Sequence, residues 1–193
     1  MASIPIYSAT LIEDPQDGRL HVKSKKVKEI RSPKVWATVD RMKFIMKQEG
    51  GIGLAANQIG VNLAIIVVLN DATGEITEFI NPRLSGGTPQ SNENVYWAVE
   101  GCLSHKGIYG EVARYRTIEF VAQRLKDSKE HVFRASGMVA RIIQHEIDHV
   151  NGQLFTDLGP EVRNISFDLP GQVKLLEATA KTMAEGQRDF VAD

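Results

Sequence analysis

A single cysteine, Cys102, stands in the 193-residue chain, so no internal disulfide can form. That suits a reducing compartment and leaves packing or chemistry as the role of the thiol. A surplus of charge is missing as well. The 23 lysines and arginines nearly balance 24 acidic residues, giving a formal net charge of −1. Because the basic residues are spread along the chain instead of blocked together, neither a nucleic-acid surface nor a funnel for acidic substrates is indicated. No apolar run approaches the length of a membrane span. Residues 1–7 lack the charged start and apolar stretch of a secretory signal, so the expectation is a protein that works where it is made, without a membrane partner. Internal repeats and low-complexity tracts are absent too. With 42% hydrophobic and 24% charged residues, positions 1–193 read as one globular domain long enough to bury a core.

What the chain does contain is concentrated in three short stretches. Gln144-His145-Glu146-Ile147-Asp148-His149 lies near the end of a segment, 133–151, whose apolar run at 138–143 reads as one helix closed by Asn151-Gly152. At 3.6 residues per turn, His145 and His149 project from the same face and can grip one ion. Glu146, beside the first of them, can reach a water at such an ion and move its proton. A buried helix has little reason to carry two imidazoles and two carboxylates unless they satisfy each other or an ion.

In chain order, residues 4–20 carry Asp14-Pro15 and Asp17-Gly18 and read as an irregular arm, followed by a lysine-rich surface stretch at 22–32. Ser32-Pro33 reads as a helix start, and Val35, Val39, Met42, Ile45 and Met46 form an apolar stripe that ends at Gly50-Gly51. Residues 50–60 then place three glycines in four positions before Leu54-Ala55-Ala56-Asn57-Gln58, a backbone that something approaches closely. A phosphate-cradling loop is the weaker reading, since the Gly-Lys-Ser/Thr ending is missing, and a plain glycine-rich turn is the other alternative. The aliphatic run 63–69 reads as a buried strand pairing with 77–80, with Asn81-Pro82 ending the pairing. Residues 85–94 read as a loop, 112–125 as strands, and 172–188 as a polar surface helix.

Gly51-Ile52-Gly53-Leu54-Ala55-Ala56-Asn57-Gln58, Glu100-Gly101-Cys102-Leu103-Ser104 and the His-Glu-Ile-Asp-His stretch, in this order, resemble the three signature motifs of the peptide deformylases. The likeness extends from the Asp14-Pro15 turn to Asn151-Gly152-Gln153-Leu154-Phe155; beyond Thr156 it finds nothing to match. It implies an α+β fold, with antiparallel sheets around a central metal-binding helix, an N-terminal helix and a C-terminal helix. It also implies a metal-dependent hydrolase that removes the formyl group from the N-terminal formyl-methionine of new polypeptides, releasing formate. Work in the cytoplasm, or in an organelle with bacterial-type translation, follows, with nascent peptides and the ribosome as partners.

By the same resemblance Cys102 joins His145 and His149 as third ligand of one divalent ion per chain. Iron(II) is the ion the family favours, and zinc, nickel or cobalt fit the same donors. Glu146 then carries protons, while the Gln58 amide and the Leu103 backbone N–H stabilise the oxyanion. Ile52, Gly53, Gly101 and Ile142 line the substrate cleft, where the peptide adds as an extended strand. Glu100, Arg114 and Asp148 brace the site. His105-Lys106 departs from the family, which commonly has an aliphatic residue and proline there; it implies a positive rim favouring acidic side chains further along the peptide. The runner-up is a His-Glu-x-x-His metallopeptidase, which needs a downstream third ligand such as Glu161 or Glu177. A closed four-ligand structural metal site is the remaining alternative.

Overall fold

The structure is a computed structural model that describes residues 8–70, 73–88, 90–158 and 191–192. Helix α1 spans Pro33–Gln48. Ser32 caps it, its hydroxyl accepting the Val35 N–H, and proline fills the first turn where no N–H partner is needed. Five strands follow the glycine stretch: β1 Gly53–Ala55, β2 Ile65–Asn70, β3 Glu75–Leu84, β4 Val95–Cys102 and β5 His105–Tyr115. After them come β6 Thr117–Gln123, β7 Glu130–Ser136, helix α2 Gly137–Val150 and the short β8 Val191–Ala192. One antiparallel sheet runs in the order β1-β2-β3-β6-β7-β8, and among the described residues β4 pairs only with β5, in a separate hairpin. The expected α+β architecture is therefore present; the expected C-terminal helix at 172–188 lies outside the described residues.

The unbroken aliphatic run in β2 has a direct cause. Ile65 and Val67 join Val39, Met42 and Met46 of α1 in one core cluster, while Ile66 and Val68 join Ile143 and Ile147 of α2 in another. A strand covered on both faces needs no polar alternation. On the α2 side, Phe79, Phe120 and Phe133 pack ring to ring at 5.1–5.2 Å between centroids.

Two expectations are corrected. Residues 133–136 are not the start of the metal helix but the end of β7, because Phe133 and Ala135 are buried while Val132 and Arg134 are exposed, a two-residue period. Gly137, at φ 59°, turns the chain from strand into α2. Nor does Asn81-Pro82 end β3. Pairing with β2 stops at Ile80, but Asn81 sits at φ 54° in a bulge, and the strand resumes against β6 through Arg83 and Leu84. The Asn81 side chain clamps this bend, accepting from Val27 N and donating to Val27 O and Gln123 Oε1.

Candidate metal centre and cleft

The ligand set expected from sequence converges. Cys102 ends β4, where the register shifts between Gly101 and Cys102, and this irregularity aims the thiol at α2 instead of along the hairpin. His145 and His149 stand one turn apart on α2 with ring centroids 4.9 Å apart. One ligand atom from each of the three residues lies within 4.8 Å of the others, and Cys102 Sγ is 3.2 Å from His149 Nε2. Two imidazoles and a thiol at this spacing fit a tetrahedral ion with one position left for chemistry. A further sign of fit is Glu146 Oε2, which is buried next to this trio without a hydrogen-bond partner among the described residues. No fourth protein ligand joins the three among the described residues, which opposes a closed structural site.

The glycines of residues 51–53 now have an explanation. A β-carbon on Gly53 would lie 2.4 Å from Glu146 Oε1 and 2.7 Å from Ile142 Cγ2; one on Gly51 would strike the Leu103 side chain at 2.7 Å. The close approach inferred from sequence is the packing of β1 against the metal helix. Gln58 is buried, its Oε1 accepting Ala55 N–H at 2.8 Å. Its Nε2 donates toward Cys102 Sγ at 3.5 Å and Ser104 Oγ at 3.2 Å, so the amide is oriented with its donor edge at the site.

Behind the ligands lies a buried ionic network. Arg114 forks onto both oxygens of Glu100 at 2.9 Å each and reaches Asp148 Oδ2 at 2.5 Å. Glu100 Oε2 in turn lies 3.0 Å from His145 Nδ1, which leaves Nε2 of that ring for an ion. Burial opposes the charge on Glu100, but Arg114 and His145 outweigh it and hold the carboxyl well below the usual range. Burial likewise opposes a charge on His145, yet Cys102 and Glu100 raise its pKa; His149, buried and facing His145 and Arg114, is driven well below its ordinary value. Burial pushes Glu146 up to about 7. Burial also raises Asp148 despite its pairing with Arg114.

A cleft of about 480 Å³ opens onto Cys102 and His145. The structure places Ile52, Gly53, Gly101 and Ile142 in its lining, together with Leu103, Val99, Ile108, Tyr109 and Met138. A groove of similar size, about 440 Å³, lies behind α2 between Trp97 and Leu158, away from the ligand trio. Lys106 is at the cleft rim, but it pairs with Glu13 at 2.6 Å and Glu49 at 3.1 Å. The expected positive rim is thus neutralised at its lysine. Sequence reading missed Arg141, which is 2% exposed and donates to Glu100 Oε1 at 2.6 Å. Its signal was the i, i+4 spacing from His145 on a helix face already assigned to the site. It also missed Phe155, whose ring stacks on His145 at 6.0 Å. Glu161 and Glu177 lie outside the described residues.

The chain is similar over most of its length to known proteins. A family model described as polypeptide deformylase matches residues 9–164. A peptide deformylase of Teredinibacter turnerae is 39% identical over 158 residues, 81% of this chain and 87% of the relative. One from Symbiobacterium thermophilum is 34% identical over 180 residues, 93% of this chain and 78% of the relative. Among solved structures, a peptide deformylase from Synechococcus elongatus in complex with actinonin superposes with a TM-score of 0.71 at 30% identity, covering 95% of each chain.

Proposed function

From the premise that this chain belongs to the peptide deformylase family, a family of metal-dependent enzymes that remove the formyl group from new polypeptides, we propose a role for each residue of its site. Cys102, His145 and His149 hold one divalent ion, with Glu146 as proton carrier. The observation that carries this is the convergence of the three donors within 4.8 Å beside a buried, unpartnered carboxylate oxygen. A divalent ion held there supplies Lewis acidity, polarising a carbonyl and lowering the pKa of water. Iron(II) is the proposed native ion, which the thiolate donor accommodates alongside nitrogen ligands.

The chain's own residues do the rest. Glu146, as the carboxylate, takes a proton from the attacking water and delivers it to the departing amine. The Gln58 Nε2 amide, already oriented by Ala55, and the Leu103 backbone N–H meet the charge that develops on the formyl oxygen. Glu100 keeps His145 turned so that Nε2 faces the ion, and Arg114 with Asp148 keeps Glu100 in place.

Substrate selection follows from the two sheet edges. In β1, Ile52 O accepts Leu69 N–H, so Leu54 repeats the bonded position toward β2 and the backbone groups of Gly53 point the other way, into the cleft. An extended peptide pairs there by its backbone, and Ile52, Gly101 and Ile142 receive the methionine side chain. The whole chain 1–193 acts as one unit, in the cytoplasm or an organelle with bacterial-type translation, where formylated chains emerge from the ribosome. The test is formate release from formyl-Met-Ala-Ser, acetyl-Met-Ala-Ser and formyl-Ala-Ala-Ser by anaerobically iron-loaded protein. The formyl-methionine peptide should be preferred over the acetyl one by about a hundredfold or more, since excluding a methyl at a packed transition state is worth a few kcal/mol. Equal rates on the formyl and acetyl peptides, or cleavage inside a peptide, would transfer the assignment to the metallopeptidase class.

A further inference from the structure

The three proposed ligands come from two separate pieces of structure, and those pieces are joined in an unusual way. His145 and His149 ride on α2, which is embedded in the apolar core against the large sheet. Cys102 rides on the β4–β5 hairpin, which has no strand neighbour in that sheet among the described residues. The hairpin has apolar anchorage at its two ends, where Leu103 in the turn and Tyr115 at the end of β5 pack against the core clusters. Between them little apolar surface is buried: Glu100 is the one buried side chain of β4, and β5 buries Val112 and Arg114 beside Gly110. Along its length the register of the hairpin against α2 is therefore held mainly by polar contacts.

Arg141 spans that seam. From α2 its guanidinium donates Nη1 to Glu100 Oε1 at 2.6 Å and to Ala98 O at 3.0 Å. Nη2 reaches Val112 O at 3.2 Å and Tyr96 O at 3.4 Å, and Nε reaches the Tyr96 hydroxyl at 3.2 Å. The same group lies 4.6 Å above the Tyr96 ring. One side chain thus engages both strands of the hairpin at several points along β4, at 2% exposure and one turn before His145. A planar fork with five donors can do this; an ammonium, with one centre, cannot reach several acceptors on two strands at once.

Resting on the reading that Cys102, His145 and His149 hold the ion, we propose that Arg141 is a positioning residue: it sets the register of the β4–β5 hairpin against α2 and thereby the spacing of the Cys102 thiolate from the two histidines. Arg114 fixes the Glu100 carboxylate and, through it, the His145 ring. Arg141 fixes the strand that carries Cys102. The two arginines share Glu100 but control different ligands.

The experiment uses full-length protein loaded with cobalt(II), whose thiolate-to-metal absorption reports the sulfur ligand directly, with release to EDTA as the second readout. Wild type should show the thiolate band and Cys102→Ala should lack it. If wild type shows no such band, the ligand reading fails, which is separate from the inference about Arg141. Given the band, Arg141→Lys and Arg141→Met should shift or weaken it and speed cobalt release by roughly ten- to a hundredfold, the range for loss of a group that orients a ligand. The buried α1 core variant Val39→Ala serves as a control for general destabilisation and should alter neither readout. Tyr96→Phe, which removes one acceptor of Arg141 together with the hydroxyl's bond to Gly137 O and keeps the ring under the guanidinium, should produce a smaller change in the same direction and covers the case in which the arginine variants do not fold. An unchanged band and release rate in the Arg141 variants, or in Tyr96→Phe if only that variant folds, would overturn the proposal, as would equal effects from Val39→Ala.

Discussion

At the scale of single residues, Glu146 is defined by what surrounds it. It is buried, its Oε2 has no hydrogen-bond partner among the described residues, and the backbone of Gly53 lies close against its carboxylate. Replacing it with Gln keeps the shape and removes the proton carrier. Glu146→Gln should retain its metal, measured by elemental analysis after gel filtration, while formate release falls by about a hundredfold to ten-thousandfold. Turnover near the wild-type rate would remove Glu146 from the reaction. Gly53 is the complementary case. The β-carbon of Gly53→Ala would sit 2.4 Å from the carboxylate, so that side chain must move. At least a tenfold loss of kcat/KM is expected at nearly unchanged metal content, and a silent substitution would show that Glu146 tolerates displacement.

Among the elements, the bend in β3 links the two halves of the large sheet. Asn81 holds φ 54° and ties Val27 of the N-terminal arm and Gln123 of β6 to the same point. Ala at this position keeps the left-handed backbone without the side-chain bonds. Asn81→Ala should lower unfolding free energy by about 2–4 kcal/mol, from three lost hydrogen bonds of about 1 kcal/mol each and the loss of asparagine's tolerance of positive φ. Chemical denaturation measures it, and a change under about 0.5 kcal/mol would mean the bulge is held by the sheet alone. The bulge also shows why β3 was misread. Proline cannot donate to a ladder, so Asn81-Pro82 signals an end; the strand instead changes partner there, and only the neighbouring strands reveal that.

For the whole molecule, stability depends on pH through the buried carboxyl of Glu146. Its folded pKa, about 7, lies above the ordinary carboxyl value of 4.5, so the folded state holds the proton more tightly than the unfolded one. Below the unfolded pKa this group leaves stability unaffected; as pH rises from about 4.5 to 7 the unfolded chain releases a proton that the folded state keeps, so stability falls across that window and levels off above it. The sign is opposite for Glu100, held below its ordinary range, whose contribution is present at neutral pH and lost in acid. In metal-stripped protein, Glu146→Gln should therefore melt higher than wild type at pH 8 and much closer to it at pH 5. The difference at pH 8 is on the order of 3 kcal/mol if the full shift is expressed. A melting difference independent of pH would show that Glu146 does not titrate in this range. Among the described residues no helix is long and apolar enough to cross a membrane.

The candidate site was legible in the sequence. Helical periodicity put His145 and His149 on one face, glycine density marked where backbone had to come close, and the family resemblance singled out Cys102 as the proposed third donor, because each of these motifs is local in the chain. The sequence by itself also determined α1, whose cap and apolar stripe are complete within Ser32 to Met46. Tertiary structure alone decided the rest. That Gly53 makes room for Glu146, that Lys106 is neutralised by Glu13 and Glu49, and that 133–136 extend a sheet instead of a helix all depend on partners distant in the chain. Arg141 is the clearest instance. On the sequence it is one arginine in an apolar run; only when α2 and the β4–β5 hairpin meet do its donors find Glu100 and the carbonyls of two strands, because hydrogen-bond geometry is a property of the assembled backbone.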